Sequence, residues 1–208
     1  MQKKDIDDIF KTLDKLYPNA DTELKFYNDF QLVLAVVMSA QTTDKQVNKV
    51  TETLFQKIKT PKDVIKMWLN KLTQSISSVN YYNNKAKHIF ELSKMLDKEP
   101  ELLCPDLEKL QKLPGVGIKT AKVVSYVLFW SKVIAADTHV HRVSKRLWLV
   151  KTRSPEKTSQ ELEKIVPDKY KEIAHHTLIL FGRYHWTAKN PKCDNCELAK
   201  ICKYKQSL

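Results

Sequence analysis

The sequence predicts an all-α protein, and three observations carry that prediction. Glycine is scarce, at three residues in 208, which disfavours glycine-rich nucleotide loops and sheets built on many tight turns. Apolar residues recur at helical spacing along most of the chain, without the period-two alternation of half-buried strands. Helix-capping signals precede several of these periodic stretches.

Taken in order, Ile6, Ile9, Phe10, Leu13 and Leu16 mark one amphipathic face, which Pro18 ends. A helix apolar on all sides follows around Phe30 to Met38, within LVLAVVMSA; it is short of the ~18 residues needed to span a bilayer. Thr43 and Gln46 stand at capping-box spacing before a helix carrying Val47, Val50 and Leu54. TPKDV at Thr60 reads as a cap with proline at the first helical position, and SPEKT at Ser154 repeats the signal. Leu107, Leu110 and Leu113 line one further helix; Ala121, Val124 and Leu128 line another. The chain predicts about ten helices, with no internal repeat, low-complexity segment or evident linker.

The length suits one or two compact domains. Lysine and arginine total 36 against 24 acidic residues, a net charge of +12. That balance favours a polyanionic partner, most simply nucleic acid, although a basic soluble surface has the same composition. The start, MQKKDIDDIF, lacks a signal-peptide core, so the protein is expected in the cytosol. Three of its four cysteines crowd near the C-terminus. In a reducing compartment that crowding suits metal ligation better than disulfides.

Two of the three glycines, Gly115 and Gly117, fall in LPGVGIKTA between two predicted helices. Pro114 stops the first helix, and bare backbone at the start of the second forms an anion site suited to a DNA phosphate. A P-loop is excluded, because Ile118 separates Gly117 from Lys119 and Lys112 stands where the earlier glycine belongs. A tight turn without a ligand is the plain alternative.

LPGVGIKTA resembles the helix-hairpin-helix of the endonuclease III family of DNA glycosylases. AADTHVHRV at Ala135 resembles that family's aspartate motif, and MSAQTTD at Met38 its DNA-probing loop. LILFGRY and the following cysteines resemble its C-terminal end. The matches run in family order over nearly the whole chain.

The resemblance implies a two-lobed helix-hairpin-helix glycosylase fold. One lobe is a six-helix barrel over residues 22–132, with the hairpin at about 106–128. Residues 1–21 and 133–208 form the other, with a cluster loop at 193–202. Double-stranded DNA bearing a damaged base or abasic site lies in the cleft between them, bound by a monomer in the bacterial cytosol or nucleoid. Lys119 is then the nucleophile that attacks the sugar C1′, and Asp137 the carboxylate that stabilises the positive sugar. A helix N-terminus and basic surroundings disfavour the ammonium form of such a lysine, while Asp137 in DTHV also reads as a plain helix cap. The extruded base leaves a gap that Gln41 fills. Tyr81 stands in the second probing loop, SSVNYYNNKA, where an aromatic wedge could enter. Gly115, Gly117, Thr120, His139 and Arg142 complete the implied DNA contacts. His175 and His176 receive no role.

Cys193, Cys196 and Cys202 make C-x2-C-x5-C. The family adds a cysteine seven positions earlier, and the four hold a [4Fe–4S] cluster. Here that position is Trp186. A cluster held by three cysteines with His185 or an outside ligand, a Cys3His zinc site and an empty site all remain open. Cys104 reads as a small core hydrophobe. The function implied is excision of oxidised pyrimidines with abasic-site lyase activity. The alternatives are a monofunctional mismatch glycosylase of the same superfamily and a non-catalytic hairpin that binds DNA.

Overall fold

The computed structural model describes residues 2–202 and Tyr204, and these residues form helices and loops without a named strand. The α-helices are α1 Lys3–Leu16, α2 Asp29–Ser39, α3 Asp44–Lys57, α4 Pro61–Met67, α5 Leu69–Ser75 and α6 Tyr82–Lys98. They continue with α7 Leu107–Leu110, α8 Ile118–Phe129, α9 Thr138–Arg146, α10 Pro155–Ile165 and α11 Asp168–Leu180. A 3-10 turn covers Pro100–Leu102, and a π-turn covers Phe181–His185. None of these helices is long and apolar enough to cross a membrane.

The chain divides into two units. One comprises Glu23–Phe129; the other joins Met1–Thr22 to Trp130–Leu208. In the first, α2 is the central helix. Every residue from Phe30 to Met38 is buried, as its unbroken apolar run requires. Gln31 is the polar member of that run, and it stays because its amide is satisfied. Its Nε2 donates to Phe55 O at 3.2 Å and Ile58 O at 2.7 Å, and its Oε1 accepts from Tyr27 N at 2.9 Å. The helices α3, α6 and α8 pack against α2, and their apolar faces complete the core.

In the second unit, Ile6, Ile9, Phe10 and Leu13 of α1 are buried as the periodicity predicts. Phe10 stacks on Tyr170 of α11 with ring centroids 5.8 Å apart. The capping signals also hold. Thr60 and Asp63 form a full capping box, and Ser154 accepts from Lys157 N. Thr43 accepts from Gln46 N. The Gln46 side chain departs from the expected box, bonding Ser78 Oγ at 2.8 Å. Cys104 is half-buried rather than a core residue, because it sits in the loop before α7.

Scarce glycine leaves a mark on the backbone. Among the described residues, five without glycine's freedom, Gln41, Trp68, Tyr81, Trp130 and Trp148, adopt left-handed φ values between 54° and 62°. Trp68 and Trp130 follow α4 and α8, and the two residues are 75% and 70% exposed. Left-handed backbone costs a residue with a Cβ roughly 1–2 kcal/mol, and an exposed ring recovers little of that. Part of the gain from glycine is lost to its freer unfolded chain. Trp68→Gly and Trp130→Gly are each expected to stabilise the fold by about 0.5–1 kcal/mol. A calorimetric midpoint no higher than the parent's would show that the rings have contacts worth the strain.

Candidate functional site

Asp106 starts the hairpin by capping α7, with Oδ1 accepting from Glu108 N at 2.8 Å and Lys109 N at 3.2 Å. The chain then turns over Leu113–Gly117, anchored by the buried side chains of Leu113 and Val116. Gly115 has φ +81°, and a Cβ built there would lie 2.9 Å from His88 Cβ. Turn conformation and packing therefore both demand glycine. Gly117 is different: its φ is ordinary and a Cβ would meet nothing within 4 Å. The packing of the fold therefore does not need it bare.

That contrast makes a prediction. Gly115→Ala should destabilise the unit by about 1–3 kcal/mol, from strain and collision with His88. Gly117→Ala should leave the melting midpoint in place while weakening binding to damaged and undamaged duplex alike, because phosphates carry no sequence information. A loss confined to damaged DNA would mean that the turn reads the lesion.

The second helix, α8, begins at Ile118. Its first amides have no acceptor within the helix and carry the positive end of the dipole. Lys119 stands in this first turn and is exposed; Thr120, beside it, is half-buried.

The MSAQTTD and SSVNYYNNKA segments lie in the same unit. Gln41 follows α2 and Tyr81 precedes α6, both left-handed and both exposed, Tyr81 by 65%. Each conformation costs on the order of 1–3 kcal/mol and needs surroundings that enforce it. Asn80 supplies part of that. Its Nδ2 donates to Gln41 O at 2.6 Å and its backbone N–H to Thr42 Oγ1 at 3.2 Å. Lys85 supplies the rest from a buried position on α6. Its Nζ donates to Met38 O at 2.7 Å, Ala40 O at 2.5 Å and Thr42 Oγ1 at 3.1 Å. Burial pushes its ammonium below the usual lysine range.

In the other unit, Asp137 is the N-cap of α9. Its Oδ1 accepts from His139 N and Val140 N, both at 2.8 Å, and its Oδ2 lies 3.0 Å from His139 Nδ1. The carboxylate is thus fixed in orientation at the positive end of a helix. His175, buried on α11, approaches Ala135 O with Nδ1 at 2.7 Å and so holds the segment leading into Asp137. His176 is buried beside it.

Arg142 does not present a free guanidinium. Its Nη2 donates to Gly182 O at 2.8 Å and Trp186 O at 3.2 Å, and its Nε to Trp186 O at 3.3 Å. Arg146 continues the tether, donating to Thr187 O at 2.9 Å and Ala188 O at 3.0 Å. The two arginines bind the start of the cysteine loop to α9, a role that sequence reasoning missed. It is invisible locally, since the acceptors are carbonyls about 40 residues on.

Trp186 is 1% exposed, with its ring 5.1 Å from Phe181 and 6.4 Å from Tyr204. Cys193 is half-buried, Cys196 and Cys202 are buried, and none of the three is in a disulfide. Burial pushes the Cys196 thiol up. His185 stacks on Phe181 at 4.9 Å. Three soft donors suit iron–sulfur chemistry, but the indole in the family's fourth position is no ligand, so the residues fit that group at three points. Among the described residues, no three His, Cys, Asp or Glu side chains are gathered to hold a single metal ion.

Residues 34–168 match the HhH-GPD superfamily of base excision DNA repair proteins. Residues 187–202 match the iron–sulfur binding domain of endonuclease III. The endonuclease III of Bacillus subtilis is 45% identical over 202 residues, 96% of this chain and 92% of the relative. That of Rickettsia felis is 42% identical over 208 residues, covering 100% and 98%. A solved endonuclease III, trapped as a covalent intermediate with DNA, superimposes with TM-score 0.92 at 44% identity, covering 100% of this chain and 98% of the other.

Proposed function

The chain belongs to the endonuclease III family within the HhH-GPD superfamily of base excision DNA repair proteins, and on that premise we propose which of its residues carry the chemistry. The enzyme is a DNA N-glycosylase with abasic-site lyase activity. The observation that carries the residue assignment is Lys119, exposed in the first turn of α8 directly after the bare Gly117.

The Lys119 amine, as its free base, attacks C1′ of the damaged nucleotide. The N-glycosidic bond breaks, its electron pair leaves with the base, and the base takes up a proton. As the bond breaks, positive charge grows on the sugar, and the Asp137 carboxylate stabilises it. Opening of the sugar ring gives an iminium between Lys119 Nζ and C1′. Loss of a C2′ proton then expels the 3′ phosphate by β-elimination and cuts the strand. Water hydrolyses the iminium and returns the amine. Gln41 and Tyr81 fill the space left by the extruded nucleotide. The amides at Gly115 and Gly117, with Thr120 and His139, hold the backbone. Arg142 acts through its tether to the cysteine loop.

The substrate class is an oxidised pyrimidine in duplex DNA. A duplex with one thymine glycol, incubated with borohydride, tests the whole reading. A covalent adduct is expected, and cleavage without one would return the protein to the monofunctional alternative.

The C-terminal segment is of the iron–sulfur binding kind. Cys193, Cys196 and Cys202 would hold a [4Fe–4S] cluster by three thiolates, whose service is structural, bracing the loop that carries Lys189 and Lys192 toward DNA. Protein made without oxygen is expected to contain iron and to bleach in air faster than its Trp186→Cys variant, which restores the fourth thiol. Iron-free protein that is folded and cleaves abasic sites would mean that the indole, with Arg142 and Arg146, holds the loop alone.

A further inference from the structure

We propose that Lys85 and Asn80 are positioning residues, a polar latch that locks Gln41 and Tyr81 into one rigid pair for entering the space vacated by a flipped base. The proposal rests on the reading of Gln41 and Tyr81 as the residues that fill that space.

The geometry is specific. A lysine ammonium has three protons, and Lys85 spends them on Met38 O, Ala40 O and Thr42 Oγ1. These acceptors bracket Gln41 on both sides. Met38 O and Ala40 O belong to the C-terminal end of α2, where unpaired carbonyls and the negative end of the helix dipole favour a cation. Asn80 closes the remaining side by holding the Gln41 carbonyl itself. Thr42 Oγ1 joins the two, since it accepts from both Lys85 Nζ and Asn80 N. Asn80 is bonded in sequence to Tyr81, and Lys85 lies one turn along the helix that Tyr81 opens, where Lys85 N donates to Tyr81 O at 3.1 Å. One knot of hydrogen bonds therefore enforces two left-handed residues whose side chains both point into solvent. A simple α2–α6 contact would not need a buried ammonium. An apolar side chain would fill the space without the desolvation cost, so the polar bonds themselves, aimed at the loop backbone, are what the lysine contributes.

Pre-organisation is the expected consequence. A loop held in its inserted shape spends less binding free energy on ordering as the base leaves the stack. The latch should act on the flipping step and not on general affinity for DNA.

The test uses a duplex with thymine glycol opposite 2-aminopurine, a base whose fluorescence rises when it unstacks. The variants are Lys85→Met, Asn80→Ala, and the pair Gln41→Ala with Tyr81→Ala, alone and combined with each latch variant. Lys85→Met and Asn80→Ala should each slow single-turnover base excision on the order of 10-fold or more and reduce the fluorescence rise. Affinity for undamaged duplex should stay at the parent value. Adding either one to the Gln41→Ala, Tyr81→Ala protein should cost nothing further, because the latch acts only through those side chains. If the Gln41→Ala, Tyr81→Ala protein itself matches the parent, the wedge reading fails and takes this proposal with it. If that protein is impaired but the latch variants are not, or if their losses multiply, the latch is overturned while the wedge reading stands. Should Lys85→Met fail to fold, Asn80→Ala decides alone, since its bonds lie at the surface.

Discussion

Lys119→Gln is expected to abolish the borohydride adduct and lower strand cleavage on the order of 10³-fold or more. Glutamine keeps much of the length and polarity of lysine but has no nucleophilic amine, so no iminium with C1′ can form. The structure gives reason to expect a clean variant. Lys119 is exposed, and the turn before it is held by Leu113, Val116 and the fit of Gly115 against His88. Melting and affinity for undamaged duplex should therefore stay near the parent. An adduct of undiminished yield in Lys119→Gln would move the nucleophile to another amine and leave the hairpin as a binding device only.

Asp137→Asn tests the second catalytic role against a structural one that is plainly present. Asp137 caps α9, so loss of the side chain has a stability cost whatever its chemistry, about 0.5–2 kcal/mol for a change to alanine. Asparagine keeps an acceptor for His139 N and Val140 N and should cost less than that. It removes the negative charge, and if the proposed role holds excision should slow on the order of 10²-fold or more, equivalent to about 2.7 kcal/mol of transition-state stabilisation. Rate and stability thus separate. A variant that melts early but excises at the parent rate, once corrected for folded fraction, would make Asp137 a cap and nothing else.

Much of the helical layout was legible because its signals are local. Periodicity placed the buried faces of α1 and α2, and caps at Thr60 and Ser154 marked helix starts. The candidate site was legible in its motifs but not in its supports. Lys85 reads in sequence as one of many solvated lysines, and its acceptors lie 43 to 47 residues away. Arg142 reads as a phosphate contact until the carbonyls of Gly182 and Trp186 are seen to hold it. His175 offers no signal beyond its apolar neighbours, yet it sets the approach to Asp137.

The sequence by itself determined what depends on neighbours along the chain. It specified an all-helical protein, a hairpin that ends one helix and starts another with bare backbone, a lysine in the next turn, and three thiols where the family has four. Only the tertiary structure decided what depends on groups brought together from far apart. It separated Gly115, where a Cβ would collide with His88, from Gly117, where one would meet nothing. It turned Arg142 inward, buried the Trp186 indole, and brought Lys85 and Asn80 into hydrogen bonds with the backbone around Gln41. The reason is physical: propensity and capping act within a turn or two of helix, whereas burial, hydrogen-bond satisfaction and steric demand are set by whatever the folded chain places alongside.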